Sequence, residues 1–434
     1  LLAGWCEQRN VPGARVEVVS LPGRTPVVLG EVPATDPARA GTAAGAGSGA
    51  GAGAGTTLIY GHLDKQPPLG DWKEGLAPFS AVRRGDRLYG RGTADDGYSG
   101  FAAFTALEAL AELGIEHGRI VVLIEGSEES GSCDLAAYLE LLAPRIGEPA
   151  LVICLDSGAA DYERLWLTSS LRGNLVATLR VEVLTEGVHS GAAGGVVPSS
   201  FRILRQLLGR VEDDKSGEIL LPELGTELPE HRRAEIDRLV ELLGERAAGT
   251  FPTLPGVVLG GGDDLGRRVV LNTWAPALEV TGLAGAPLPG DAGNVLRPWT
   301  EAKLSLRIPP GVDAEVAATA LVDTLTADPP DGAQVTCTLR DPSAGFDAPP
   351  LRPWLAEALE SASLAHFGAP MGVMGEGGTI PFLATLRAQL PDAQFVVTGV
   401  LGPESNAHGP NEFLHLPTAQ RVTAVVAEVL AAAP

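Results

Sequence analysis

No stretch of the chain approaches the roughly 18 uninterrupted apolar residues that a membrane span requires. The longest strongly apolar runs, such as Ile120 to Ile124, are strand-sized, so no membrane association is expected. Cysteine is scarce and scattered. Cys6, Cys133, Cys154 and Cys337 include no CxxC pair, which excludes a cysteine-built zinc site and a disulfide scaffold and fits a reducing, cytoplasmic compartment. No basic segment followed by an apolar one opens the sequence at Leu1, so a secretion signal is not expected. Basic residues are few: 32 against 54 acidic ones, a net charge of −22. Such a surface repels phosphate backbones and excludes nucleic acid as a partner. There is no internal repeat. What remains is an ordinary globular balance, 45% apolar and 20% charged over 434 residues, which rules out wholesale disorder and suits two or three domains of about 150 residues.

From Thr56 the chain alternates strands with helices. Thr57 to Leu63, Arg119 to Glu125 and Ala150 to Leu155 read as short apolar strands. Gly100 to Leu113 reads as a helix with Phe104, Leu107 and Ala111 on one face, and Cys133 to Leu142 as another with Ser132 placed to cap it. Strands apolar on both faces, alternating with helices, predict an α/β fold: a mostly parallel sheet with helices on each side. After about Arg172 the texture changes. Asn174 to Val183 and Ala302 to Ile308 alternate in strand fashion, with helical stretches at Phe201 to Val211 and Glu235 to Leu243 between them. This predicts a second, α+β domain over 172–368, inserted between a first part at 1–171 and a last part at 369–434 that ends in the helix Thr418 to Ala432. Gly41 to Gly55, GTAAGAGSGAGAGAG, cannot bury a core and reads as an expanded flexible surface loop.

The acids and histidines fall where strands end. His62 and Asp64 sit two apart as Thr57 to Leu63 finishes, so they face the same way. Asp64 is placed to accept the second ring N–H of a metal-bound His62. Asp95 stands in GRGTADDG, just before the helix at Gly100. Glu128 and Glu129 follow the strand Arg119 to Glu125 in EGSEESGS, and Asp156 ends the strand Ala150 to Leu155. Each alone fits a helix cap or a solvated loop acid. Their coincidence past the strand ends of one sheet does not, because open α/β sheets place ligand sites there. His408, in PESNAHGPNE, is the natural second imidazole. Two divalent ions can be assembled from these groups, one on His62, Asp95 and Asp156 and the other on His408, Asp95 and Glu129, with Asp95 bridging. Nitrogen and oxygen donors without thiolate suit zinc, manganese or cobalt. Glu128, beside Glu129 but outside the ligand set, is free to act as general base.

GHLD, GRGTADDG, EGSEESGS, CLDSG, GVHSGAAGG and NAHGPNE, in this order, resemble the dinuclear metallopeptidase family of the cytosolic non-specific and carnosine dipeptidases. Its wider relatives include glutamate carboxypeptidases, aminoacylases and succinyl-diaminopimelate desuccinylases. The similarity runs from about Val16 to the end. Asp156 after the third strand, WKEGLAPF (Trp72 to Phe79) and GEGGTIP (Gly375 to Pro381) are most similar to the dipeptidase branch. The resemblance implies that His62, Asp95, Glu129, Asp156 and His408 bind metal, that Glu128 is the general base and that Asp64 supports His62. It implies an inserted domain that forms a lid and a homodimer contact, with His189 of VHSGAAGG reaching the partner's active site to stabilise an oxyanion. It also implies that Arg307 binds the substrate carboxylate with its planar fork, helped by Gly378 and Thr379.

The expected reaction is therefore hydrolysis of the amide bond of a dipeptide or short peptide with a free C-terminal carboxylate. N-acyl-amino-acid amidohydrolases and carboxypeptidases of the same family share the metal core and remain the alternatives. A non-catalytic homologue is disfavoured, because every ligand position and Glu128 carry the expected residue type. One departure stands out. Dipeptidase relatives commonly have a lysine after the paired aspartates, whereas this chain reads Asp95-Asp96-Gly97-Tyr98. That removes a local ion pair but no metal ligand. His117, His231, His366 and His415 have no partner motif and read as structural or surface residues.

Overall fold

The computed structural model describes residues 1–39, 55–340 and 342–434. The glycine-rich tract at 41–55 lies outside these residues except for its last position. The chain divides into two compact units. One comprises Leu1–Ser169, Ala348–Met374 and Thr385–Pro434; the other comprises Ser170–Asp347 and Gly375–Ala384.

The first unit is built on a sheet whose six strands, among the described residues, run in the order Arg15–Val19, Val27–Val32, Arg119–Glu125, Thr56–His62, Leu151–Cys154 and Gln394–Val397. The last four are parallel, and Val27–Val32 runs antiparallel to both of its neighbours. Every residue of Thr56–His62 and Leu151–Cys154 is buried, as expected of strands covered on both faces. Alternate residues serve opposite layers. Ile59, Val122, Ile124 and Ile153 pack with Leu107, Leu355, Leu359, Val422 and Val426 of the helices Ser99–Leu113, Pro353–Phe367 and Leu416–Ala432. Leu58, Tyr60, Val121, Leu123 and Val152, between them in sequence, are buried as well.

Two local expectations change. The insertion expected over 172–368 takes in the segment that folds as the helix Pro353–Phe367, yet the Leu355, Leu359 and Ala362 of that helix belong to the first unit's core. An amphipathic stripe announces that a helix is buried, not against which sheet. The helix expected at Cys133 begins at Leu135, and Ser132 does not cap it. Ser132 adopts φ 52° and its hydroxyl donates to Glu125 Oε1 at 2.9 Å, so the serine belongs to the turn that follows the strand.

The second unit is a four-stranded antiparallel sheet, Ala277–Ala284, Trp299–Ile308, Gly173–Glu182 and Gln334–Leu339 in spatial order. Burial alternates strictly along Gly173–Glu182. Leu175, Leu179, Leu304 and Leu306 meet Ile203 and Leu207 of the helix Ser200–Leu208 and Leu321 of Ala314–Thr326. Arg307 points to the other face of that sheet, opposite Asn174 in the register.

Candidate active site

Three neighbouring parallel strands end side by side, with Thr56–His62 in the middle. The register pairs His62 with Glu125 and Tyr60 with Cys154, so the residues just after each strand are brought to one edge. His62 closes the central strand and is fully buried. Gly61 before it is dictated by space: a Cβ there would lie 2.1 Å from Ser99 Oγ and 2.4 Å from Asp96 Oδ2. The absence of a side chain lets the start of the helix Ser99–Leu113 close onto the strand. Asp96 Oδ2 then accepts the His62 backbone N–H at 3.1 Å.

His62 Nε2 stands 3.2 Å from Asp95 Oδ1 and 3.6 Å from Asp156 Oδ1, while its Nδ1 stands 3.4 Å from Asp64 Oδ1. Asp64 does more than face the imidazole. Its two oxygens accept the backbone N–H groups of Glu128 at 3.1 Å and Glu129 at 2.9 Å, pinning the 3-10 turn Glu128–Ser130 to the end of the central strand. The other oxygen of Asp95, Oδ2, is 2.9 Å from His408 Nε2, which is 3.3 Å from Glu129 Oε2. Two groups of three donors result: His62, Asp95 and Asp156, and Asp95, Glu129 and His408, each with its ligand atoms within 4.8 Å of one another. Asp95 is common to both.

Electrostatics express one demand. Burial alone would depress the His62 imidazolium, but Asp156, Asp64 and Asp95 together hold it far above the ordinary histidine range. Hydrogen bonds to Asp95 and Glu129 push His408 up to about 10. Burial pushes the Glu128 carboxyl up to about 9, with repulsion from Asp156 and then Glu129 adding to it. Burial also raises Asp156, whereas the two imidazoles overcome burial and hold Asp95 below the usual carboxylate range. Carboxylates concentrated in a buried site require compensating positive charge. In the metal-free chain protons on the imidazoles supply it; divalent cations on the same nitrogen and oxygen donors would do so more completely, and the donor set fits them.

Several contributors were not singled out in the sequence. Gln66 donates through Nε2 to Glu129 Oε2 at 2.8 Å and fixes that carboxylate. Tyr60 donates to Glu125 Oε1 at 2.5 Å, and Ser127 donates to Glu125 Oε2 at 3.1 Å, anchoring the turn from below. A phenol among the buried residues of that strand, Tyr60, was the available signal. Lys65 answers the missing lysine. Its Nζ donates to the Asp95 carbonyl at 3.4 Å and lies 3.2 Å from where a Cβ at Gly97 would stand. An ammonium thus reaches that position from another part of the chain.

The remaining predicted residues lie in the second unit. His189 is exposed, and its Nδ1 accepts the Gly191 N–H at 3.1 Å. Arg307 Nη1 donates to Thr379 Oγ1 at 3.0 Å, and that hydroxyl donates to the Arg172 carbonyl at 2.6 Å. Gly378 is exposed, with open space around its Cα. Arg172, overlooked in the sequence, spends its guanidinium on the carbonyls of Gly377, Leu271 and Ala275. Burial, and then the Arg307 charge beside it, lowers Arg172 to about 10. Among the described residues both guanidiniums donate to carbonyl or hydroxyl oxygens and not to carboxylates. Of the unassigned histidines, His117 is buried against the Gly118 carbonyl, His366 pairs with Glu428, and His415 bonds Thr418 Oγ1; His231 is exposed.

The chain is similar to the cysteinylglycine-S-conjugate dipeptidase of Corynebacterium striatum, 29% identical over 377 residues, covering 86% of this chain and 80% of that protein. In fold it is similar to the di-peptidase Dug1p of Saccharomyces cerevisiae, with a TM-score of 0.72 at 23% identity over 97% of this chain and 87% of the other. It is also similar to the metallo-carboxypeptidase Sso-CP2 of Sulfolobus solfataricus, with a TM-score of 0.76 at 23% identity, covering 99% and 92%. The family model for peptidases M20/M25/M40 matches residues 58–432, which include every metal-ligand candidate. By that match, and by the motifs at its strand ends, the chain belongs to Peptidase family M20/M25/M40.

Proposed function

We propose that the chain is a metal-dependent dipeptidase whose centre is the double group of ligands sharing Asp95. The observation that carries this reading is the shared carboxylate, with one oxygen toward His62 and the other toward His408. His62, Asp95 and Asp156 would hold one divalent ion and Asp95, Glu129 and His408 a second, zinc or manganese, with cobalt also suited to the donors. Ions held there supply Lewis-acid polarisation of the scissile carbonyl and make water a nucleophile at neutral pH.

The chain's own residues do the rest. Glu128 takes the proton of the attacking water and gives it to the leaving amine. Its half-buried carboxyl stands beside Glu129 but outside both ligand groups, which leaves its oxygens free for that role. Asp64 orients His62 and, through two backbone bonds, keeps Glu128 and Glu129 in place. In the second unit Arg307 binds the substrate carboxylate with Thr379 and Gly378. A half-buried guanidinium that donates to the Thr379 hydroxyl and has no acidic partner among the described residues favours that role. His189, from the partner subunit of a homodimer, stabilises the oxyanion of the tetrahedral intermediate. The free cysteines fit a cytoplasmic location, and no helix among the described residues is long and apolar enough to cross a membrane.

Purified chain loaded with zinc or manganese should cleave dipeptides in preference to N-acetyl or N-succinyl amino acids. Glu128→Ala should lower kcat by about 10²- to 10⁴-fold while its metal content stays at the wild-type value. Wild-type turnover in that variant would overturn the general-base role. A monomer with full activity would remove the role of His189.

A further inference from the structure

One buried ion pair in the first unit has no part in the reaction as described. Arg91 Nη1 donates to Glu412 Oε2 at 2.7 Å, and the two side chains are 1% and 0% exposed. Arg91 opens the GRGTADDG segment that carries Asp95, and Glu412 ends the NAHGPNE segment that carries His408. Neither group stops at the other. The second oxygen of Glu412, Oε1, accepts the backbone N–H groups of Ala94 at 3.2 Å and Asp95 at 3.3 Å. The second terminal nitrogen of Arg91, Nη2, donates to the backbone carbonyl of His408 at 2.9 Å and reaches that of Pro67 at 3.5 Å. Pro67 follows Gln66, the residue that holds the Glu129 carboxylate.

From these contacts we infer that Arg91 and Glu412 are positioning residues for the open half of the metal centre, Asp95, Glu129 and His408. The inference rests on the metal-binding reading above. Each ligand of that half is one or two bonds from the pair: Asp95 through its own N–H on Glu412, His408 through its carbonyl on Arg91, and Glu129 through Gln66 and Pro67. The three segments come from distant parts of the chain, and His408 sits in a loop where Glu404, Asn406, His408 and Asn411 all adopt positive φ. Such a loop has no strand to fix it. A planar fork that bonds two partners at set angles does what a single point charge cannot. Energetics point the same way. A fully buried ion pair contributes little net stability over apolar side chains of the same size, because desolvation offsets the attraction. Its directional bonds, aimed at the backbone of two ligands, are what an apolar pair cannot supply.

The test uses the full chain, with Zn²⁺ titrated against a chromophoric chelator and thermal melting of the metal-free protein recorded in parallel. Glu412→Gln and Arg91→Lys should each weaken at least one Zn²⁺ affinity by about 10- to 100-fold, the range for groups that orient ligands. In a His408→Ala background, where the open half is already dismantled, the Arg91→Lys change, which acts on the His408 and Pro67 carbonyls, should cost about threefold or less. A variant that folds only with metal is read instead by the Zn²⁺ concentration at half-recovery of far-UV circular dichroism. Zn²⁺ affinity within about twofold of wild type in both variants, with only the melting temperature lowered, overturns the inference and leaves the pair structural. An undiminished Arg91→Lys loss in the His408→Ala background overturns it too. If the wild-type chain itself takes up no Zn²⁺ or Mn²⁺, the metal reading fails, an outcome distinct from these.

Discussion

The two halves of the candidate centre share Asp95 and differ in almost everything else. His62, Asp95 and Asp156 are all buried, and two of them sit at or just past the ends of adjacent parallel strands. In the other half the His408 side chain is 56% exposed and comes from a loop. The buried half is placed by the sheet itself, because strand register fixes where His62 and Asp156 emerge. The open half is placed by hydrogen bonds between loops. A metal centre built this way has one site that is part of the core and another that can be dismantled without touching it.

Asp95→Ala attacks what the halves share and should have the largest effect. Both groups lose a ligand, so metal content should fall for both ions and peptide hydrolysis should drop by more than the roughly 10²- to 10⁴-fold expected for losing the general base. Metal analysis by plasma emission, alongside turnover, checks this. Retention of two tightly held ions would mean that Asp95 does not bridge.

Separating the halves comes next. His62→Ala leaves buried carboxylates without their imidazole, and breaking a buried charge cluster costs about 3–5 kcal/mol. His408→Ala removes a half-exposed side chain and should change the stability of the metal-free protein by about 0.5 kcal/mol or less. Melting of both variants in chelator decides. Equal losses would erase the distinction between a core site and a loop site.

The metal-free protein also carries a pH signature. His408 binds its proton more tightly in the folded chain, with a pKa of about 10 against the ordinary 6.5, and Glu128 does so with about 9 against 4.5. In both cases the folded state holds protons that the unfolded state releases, so stability falls as pH rises. The His408 contribution is fully present below about 6.5 and is lost as pH climbs toward 10; partial exposure keeps it small. Metal bound at His408 would displace its proton. The slope of melting temperature between pH 6.5 and 10 should therefore flatten when Zn²⁺ is added. An unchanged slope would show that the metal does not sit on His408.

The same contrast explains what could be read from sequence. His62, Glu129 and Asp156 were legible because strands announce themselves by apolar runs, and ligand sites follow strand ends. His408 was legible only by elimination and resemblance, since nothing in PESNAHGPNE predicts its distance from Asp95. Its supports, Gln66, Arg91 and Glu412, were not legible at all. Each is an ordinary polar residue whose role arises from tertiary contact. In the second unit the alternation along Gly173–Glu182 and Trp299–Ile308 gave the sheet and the polar face of Arg307. The partnership of Arg307 with Thr379 joins residues 72 apart and leaves no local pattern. The helix Pro353–Phe367 was absorbed into the insertion at 172–368, because nothing local in its sequence says which sheet it packs on.

A further expected effect lies on the buried side, where tight packing should make two substitutions interdependent. Gly92 has φ 71°, and a Cβ there would stand 1.7 Å from Lys65 Cδ. Gly92→Ala therefore combines two costs, about 1–2 kcal/mol for an L-residue in the left-handed region and a further penalty for displacing the lysine stem. The first is intrinsic to the backbone and should persist in any background. The second arises first from Lys65, whose Cδ, Cε and Nζ are the nearest atoms, so in a Lys65→Ala chain Gly92→Ala should cost close to the backbone term. A double-mutant cycle on melting in denaturant reads the difference, expected at about 0.5–1 kcal/mol for side chains in contact. Strict additivity would mean that the lysine stem swings aside freely, and that packing beneath Asp95 is as permissive as the loop that carries His408.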